Sequence, residues 1–210
     1  MSIQSARWML LLAWAIGPWA HAQGILDEWT AVPPPPPPEL SRVSLEPTTT
    51  ALLVLDVSTH TCNEAVRPRC VRMLPRVQQM LKHARARGLH VVYALGVLPS
   101  PGSPADVLPE AAMLGTEPWV RSGPDKFLQT NLEDNLRAHG INTVIALGTA
   151  SHGAVLHTAS EAVFRGFKVV IPVDAVAGES LYGEQYTLWH LQNAPRMPGK
   201  VTLSKVDWID

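Results

Sequence analysis

The chain has 210 residues, 46% of them hydrophobic and 17% charged, with a formal net charge of -1. That length suits one domain rather than two, and the apolar fraction excludes disorder as the main state. The charge balance excludes a phosphate-tracking surface, so no nucleic-acid partner is expected, and two cysteines exclude a disulfide-dense miniprotein and a four-thiolate zinc site.

Residues 1–22 read as a secretory signal peptide. Arg7 supplies a short basic region and Trp8 to Ala20 an apolar stretch. Ala20-His21-Ala22 fits the small-x-small cleavage rule, with Gln23 as the mature start. The apolar run is too short to cross a bilayer core of ~30 Å comfortably, and no later segment is apolar for long enough. The expectation is a periplasmic or secreted protein with no membrane span after cleavage. Residues 23–47 read as a linker, because the unbroken run Pro33 to Pro38 favours polyproline II over helix or sheet.

The domain is expected to cover residues 48–210. Ala51-Leu-Leu-Val-Leu-Asp56-Val is a continuous apolar run ending in a carboxylate, the pattern of a central parallel strand. Val66 to Arg87 reads as one helix or two, broken near Pro68 and Pro75, and capped by Gly88. Leu89 to Leu95 is a second strand, Gly96 to Gly115 a long proline-containing loop, and Pro118 to Arg121 a short third strand. Phe127 to His139 has helical spacing, and Ile141 to Leu147 is a fourth strand. Gly153 to Arg165 is a helix, Phe167 to Val173 a fifth strand, Tyr182 to Gln192 a helix, and Val201 to Leu203 a sixth strand.

Alternating strands and helices predict an α/β fold: a three-layer, doubly wound, mostly parallel sheet of about six strands. Ligands in such sheets bind at the carboxyl ends of the strands, here Asp56, Gly96, Arg121, Gly148 and Asp174. Burial raises the pKa of a carboxyl at a strand tip, which makes Asp56 a candidate proton carrier, or else a structural turn cap. Arg121 and Lys126 could each hold a substrate anion or steady Asp56, although Lys126 follows Asp125 at a helix start and could lie on a solvated first turn. Gly148 to Ala154 is a turn of small residues whose N–H groups could cradle a carboxylate or oxyanion.

In an exported protein an even cysteine pair favours a disulfide, so Cys62 and Cys70 are expected to bond. The alternative makes Cys62 a relocated nucleophile, which a disulfide would abolish. Residues 96–115 hold no His-x-His or Asp-x-His set, and His152 and His157 fall on different helix faces, so neither a metal nor any other cofactor is expected.

These residues together resemble the isochorismatase-like hydrolase superfamily, which includes isochorismatases, nicotinamidases and other amidases. The resemblance rests on Leu52-Leu-Val-Leu-Asp56, on Phe127 to Leu132 with Leu136-Arg137 and Gly140-Ile141, and on Gly148 through Thr158-Ala159, Glu161-Ala162, Gly166 and Val173-Asp174. Members mostly use an Asp, Lys, Cys triad. The resemblance assigns the Asp to Asp56. Counting back from Thr130, it assigns the Lys position to Arg121, with Lys126 five residues later. The Cys position falls on Ala154, whose methyl cannot attack a carbonyl. True isochorismatases also lack the Cys and carry Ala-His-x-Gly there, to which Ser151-His152-Gly153-Ala154 is similar. In them the Asp protonates an enol ether and water completes the hydrolysis.

The resemblance further implies a cis peptide at Thr149-Ala150, N–H donors at Ala150 and Ala154, a pocket lined by Ser151 and His152, and a homo-oligomer. The expected function is therefore hydrolysis of a small, anionic substrate with Asp56 as acid or base and no thiol nucleophile. The rivals are an inactive small-molecule-binding member of the same fold and a tethered interaction module.

Overall fold

The structure, a computed structural model, describes residues 24–97 and 101–210. The expected signal peptide at 1–22 lies outside them. The chain divides into two units, Met1–Pro36 and Pro37–Asp210. In the first, the described residues hold a turn in which the Asp27 amide donates to the Gly24 carbonyl and the Gly24 amide to the Asp27 carboxylate. The proline run carries neither helix nor strand.

The second unit is built on β1 (Thr50–Leu55), whose six residues are all buried. No polar face alternates along it, because helices cover both sides of the sheet. Next come α1 (Pro68–Ala86), β2 (His90–Leu95), β3 (Trp119–Arg121), α2 (Leu132–Ala138) and β4 (Thr143–Thr149). The chain continues through α3 (Leu156–Phe164), β5 (Lys168–Pro172), β6 (Val176–Ala177), α4 (Leu181–Asn193) and β7 (Val201–Ser204). The sheet order is β3-β2-β1-β4-β5-β7, with β6 paired to β4 and every pairing parallel. This is the three-layer α/β architecture expected. The seventh strand, β6, escaped the sequence because two residues carry no periodicity.

Alternate residues of β1 feed two cores. Ala51, Leu53 and Leu55 pack with Leu132 and Leu136 of α2, Leu156, Ala159 and Val163 of α3, and Leu191 of α4. Leu52 and Val54 face Met73, Val77, Met80, Leu81 and Ala84 of α1. The winding reverses between β1 and β4, so their carboxyl ends form the switch point where open α/β sheets bind ligands.

Three expectations change in detail. Helix α1 is unbroken. Pro68 occupies its first turn, where the missing N–H costs nothing, and Pro75 sits within it on the exposed side. An interior proline costs about 3 kcal/mol, but each of the large side chains buried along the inner face returns about 1.5–3 kcal/mol. The helix expected from Phe127 begins only at Leu132, because Gln129 takes a left-handed φ of 56°. Thr130 stabilises the preceding turn, its hydroxyl donating to the Lys126 carbonyl at 2.7 Å. The helix expected from Gly153 opens as a wide π turn at Ser151–Val155 before α3.

Residues 41–45, expected in the linker, run beside the C-terminus. The Ser41 amide donates to Leu203, Val43 to Trp208 and Leu45 to Asp210, at 2.8–2.9 Å, and the Leu45 side chain is buried. The order of the sheet could not reveal this pairing, since nothing in 41–45 alternates strongly enough to announce a strand. Asp174, a candidate binding position, is instead structural: its carboxylate accepts from the Val206 amide at 2.9 Å and pairs with Arg76.

Candidate active site

Asp56 follows directly on β1 with φ 52°, a left-handed conformation that aspartate tolerates better than most residues. Its amide donates to the Ala94 carbonyl of β2 at 2.9 Å. Its carboxylate lies over Gly96, where a Cβ would come within 3.4 Å of Oδ1. The Thr61 hydroxyl donates to the Asp56 carbonyl and also bonds Ser58 Oγ at 2.9 Å. The peptide after the strand is therefore fastened on both sides.

Lys126 is the partner of Asp56. Its Nζ donates to Asp56 Oδ1 at 2.9 Å and to the Ser122 carbonyl at 3.3 Å, with the whole side chain buried. The lysine backbone is held from both flanks: its amide donates to Thr158 Oγ1 of α3, and its carbonyl accepts from Thr130. The Asp125 carboxylate accepts from the Phe127 amide at 2.9 Å, a local turn contact rather than a helix cap because α2 begins only at Leu132, and Lys126 turns inward. Burial is the largest influence on both charged groups. It pushes the Asp56 carboxyl above its ordinary value, against the opposing pull of Lys126 and Arg67, and pulls the Lys126 ammonium below its own.

Arg121 is not part of this cluster. Its guanidinium donates to the Gly102 carbonyl at 2.7 Å and lies 5.2 Å from the Trp119 ring centroid, with the residue exposed. Counting residues back from Thr130 selected Arg121, whereas the cation that contacts Asp56 is Lys126. The turn at Gly123–Asp125 brings the later one, Lys126, to the strand tip.

The turn after β4 begins beside Asp56, because Leu55 pairs with Gly148. Gly148 has φ 122°, and a Cβ there would collide with the Leu55 carbonyl, so only glycine lets the strands close up at this point. The Thr149–Ala150 peptide is cis. The Ala150 carbonyl accepts from the amides of Gly153 and Val155 at 3.0 and 3.2 Å, winding the π turn in which Ala154 is buried. Ser151 is fully buried, with its Oγ unpartnered among the described residues. His152 is exposed and rests its ring against Gly178 and Gly183, the latter in the first turn of α4.

Cys62 and Cys70 form the expected disulfide, with Cα atoms 5.3 Å apart. Since the chain has two cysteines, no free thiol remains. Among the described residues no group of three or more His, Cys, Asp or Glu side chains could hold a metal.

Sequence reasoning missed the rim. Arg67, inside the disulfide loop, donates to the Thr61 carbonyl at 2.8 Å and to Glu179 Oε1 at 2.8 Å. Arg69 makes a two-pronged contact with Glu184, which also accepts from the Gly178 amide at 2.9 Å. The one available signal was the pair of arginines flanking Pro68 at the start of α1.

The isochorismatase domain model matches residues 50–203, and the chain belongs to that family. It is similar to N-carbamoylsarcosine amidase of Arthrobacter sp, 25% identical over 154 residues, covering 60% of this chain and 57% of the relative. It is also similar to streptothricin hydrolase of Streptomyces noursei, 35% identical over 136 residues, covering 60% of this chain and 49% of the relative. The chain thus spans about half the length of the curated relatives it matches. Among solved structures, an isochorismatase-like hydrolase from Alkaliphilus metalliredigens shares the fold at a TM-score of 0.68 and 24% identity, over 76% of this chain and 95% of that one. A nicotinamidase from Staphylococcus aureus does so at 0.64 and 21%, over 74% and 99%.

Proposed function

We propose that the protein is an exported hydrolase of a small, anionic molecule, in which Asp56 moves the proton and no thiol attacks. The buried Lys126–Asp56 pair at 2.9 Å carries this reading. A carboxyl whose pKa is raised by burial can hold a proton and deliver it to a substrate atom, and Lys126 then stabilises the carboxylate left behind. Water supplies the incoming oxygen. The two half-cystines and the methyl of Ala154 support a route without a covalent thioester. Ala150 and Ala154 present amides in the turn beside β1, suited to developing negative charge.

Lys126, rather than Arg121, takes the lysine role. The disulfide supports an oxidising compartment, and hence the periplasmic or secreted location. The exposed Tyr182, Tyr186 and Trp189 along α4 support a homo-oligomer.

The test is a screen of vinyl ethers, amides and small carboxylic acids against the purified protein, read by both turnover and thermal shift. Turnover that disappears in Asp56→Asn supports the hydrolase. Binding without turnover supports an inactive binding member, and silence in both readouts leaves the tethered interaction module.

A further inference from the structure

The guanidinium of Arg67 is only partly used. Nη1 is committed to the Thr61 carbonyl. The opposite edge of the planar group, Nε with Nη2, has the spacing of two carboxylate oxygens. Glu179 reaches only Nη2, and Nε is buried with no hydrogen-bond partner among the described residues. A buried donor left unpaired is destabilising, which marks this one as unexplained by the fold alone.

The two members of the pair are held very differently. The Arg67 side chain is 15% exposed and the Glu179 side chain 54%. Arg67 is anchored inside the Cys62–Cys70 loop and through Thr61, whose hydroxyl donates to the Asp56 carbonyl. Glu179 stands on the 178–180 connection before α4, and can swing into water at little cost. Arg67 is also near enough to Asp56 for its charge to oppose the rise in that carboxyl's pKa.

We infer that the Nε–Nη2 edge of Arg67 is the subsite for a substrate carboxylate, and that Glu179 occupies half of it until a substrate displaces it. This rests on the hydrolase reading and deepens it, naming the substrate class as a small carboxylic acid. With Glu179 turned outward and Asp56 ionised, Lys126 and Arg67 leave the site one positive charge in excess. A bound carboxylate neutralises it and satisfies Nε. Glu179 then acts as an internal competitor that keeps the arginine paired in the empty site.

The experiment measures binding of acetate, lactate and benzoate, each against its neutral amide, by calorimetry on the purified protein. The wild type is expected to prefer at least one acid over its amide. Glu179→Gln should tighten that acid several-fold. Arg67→Met should weaken it about tenfold or more, the scale of one charged hydrogen bond, and leave the amide unchanged. Arg67→Lys keeps the charge without the fork, so it should bind the acid with intermediate strength, which a purely structural role would not produce. It also serves if Arg67→Met fails to fold.

Acids that bind no better than amides in wild type and Glu179→Gln overturn the assignment, as does an acid preference that survives both Arg67 substitutions. Asp56→Asn separates the two claims: turnover lost with acid preference intact supports both. Turnover without acid preference removes only the Arg67 subsite. Acid preference with undiminished turnover in Asp56→Asn removes only the Asp56 mechanism.

Discussion

Lys126 Nζ and Asp56 Oδ1 meet at 2.9 Å inside the protein, joining two residues 70 positions apart in the chain. The lysine is wholly buried, so it exchanged its hydration shell for one carboxylate and one carbonyl. Pairs of this kind contribute little net stability, but removing one partner strands the other.

Lys126→Met should therefore cost about 3–5 kcal/mol at neutral pH, and less in acid. Asp56 already has a folded-state pKa above its unfolded value of 3.8, and losing Lys126, which opposes that rise, lifts it further. A raised carboxyl pKa means the folded state binds the proton more tightly, so its stabilising contribution is full below the unfolded pKa and disappears as pH rises through the folded one. Denaturant titrations of Lys126→Met and wild type should diverge progressively as pH rises from the unfolded value. A constant difference across that range contradicts the pairing.

His90 predicts the opposite slope. Its ring stacks on His139 at 3.9 Å between centroids and its Nε2 contacts Asn135 Oδ1 at 2.7 Å. Burial, with the neighbouring His139, holds its pKa below 6.5. The folded state thus binds the proton less tightly than the unfolded one, and this stability is present above pH 6.5 and lost as pH falls through the folded value. His90→Gln should flatten that decline, as read from melting temperature against pH. An unchanged slope would show that His90 does not titrate with unfolding.

The Cys62–Cys70 bridge has a sequence separation of 8, and closing so short a loop in the unfolded chain is worth about 2–3 kcal/mol. The double Cys→Ser variant should lose about that much stability in denaturant unfolding. Because the loop also carries Arg67 and abuts Thr61, its substrate KM should rise more than its kcat falls. Equal effects on both would separate the bridge from the rim.

Gly183 and Gly148 give contrasting outcomes on alanine substitution. Gly183 lies in helix α4, where alanine gains about 1 kcal/mol of helix propensity, but its Cβ would come 2.7 Å from His152 Nδ1. That ring is exposed and can swing away, so Gly183→Ala should keep its melting temperature while changing substrate affinity. Gly148→Ala meets the rigid Leu55 carbonyl at a φ of 122° and should lose about 4 kcal/mol or more. Comparable melting temperatures for the two variants would contradict this placement of the turn.

Most of the sheet was legible because a buried parallel strand writes itself as an unbroken apolar run, as Ala51 to Leu55 does. Asp56 was legible for the same reason, a carboxylate closing such a run. Lys126 was harder. Local propensity placed it on a solvated first turn, and only the left-handed Gln129 with the Thr158 and Thr130 contacts turns it inward. Those contacts span 32 residues in one case and are invisible to any local pattern. Arg67 was illegible because its importance lies in an unfilled donor, which is a property of surroundings rather than of spacing.

The most direct measurement is a carboxyl-carbon NMR titration of Asp56, its resonance assigned by loss in Asp56→Asn. The account predicts a midpoint above 3.8 that climbs further in Lys126→Met. A midpoint at or below 3.8, or one indifferent to Lys126, would contradict Asp56 as the proton carrier.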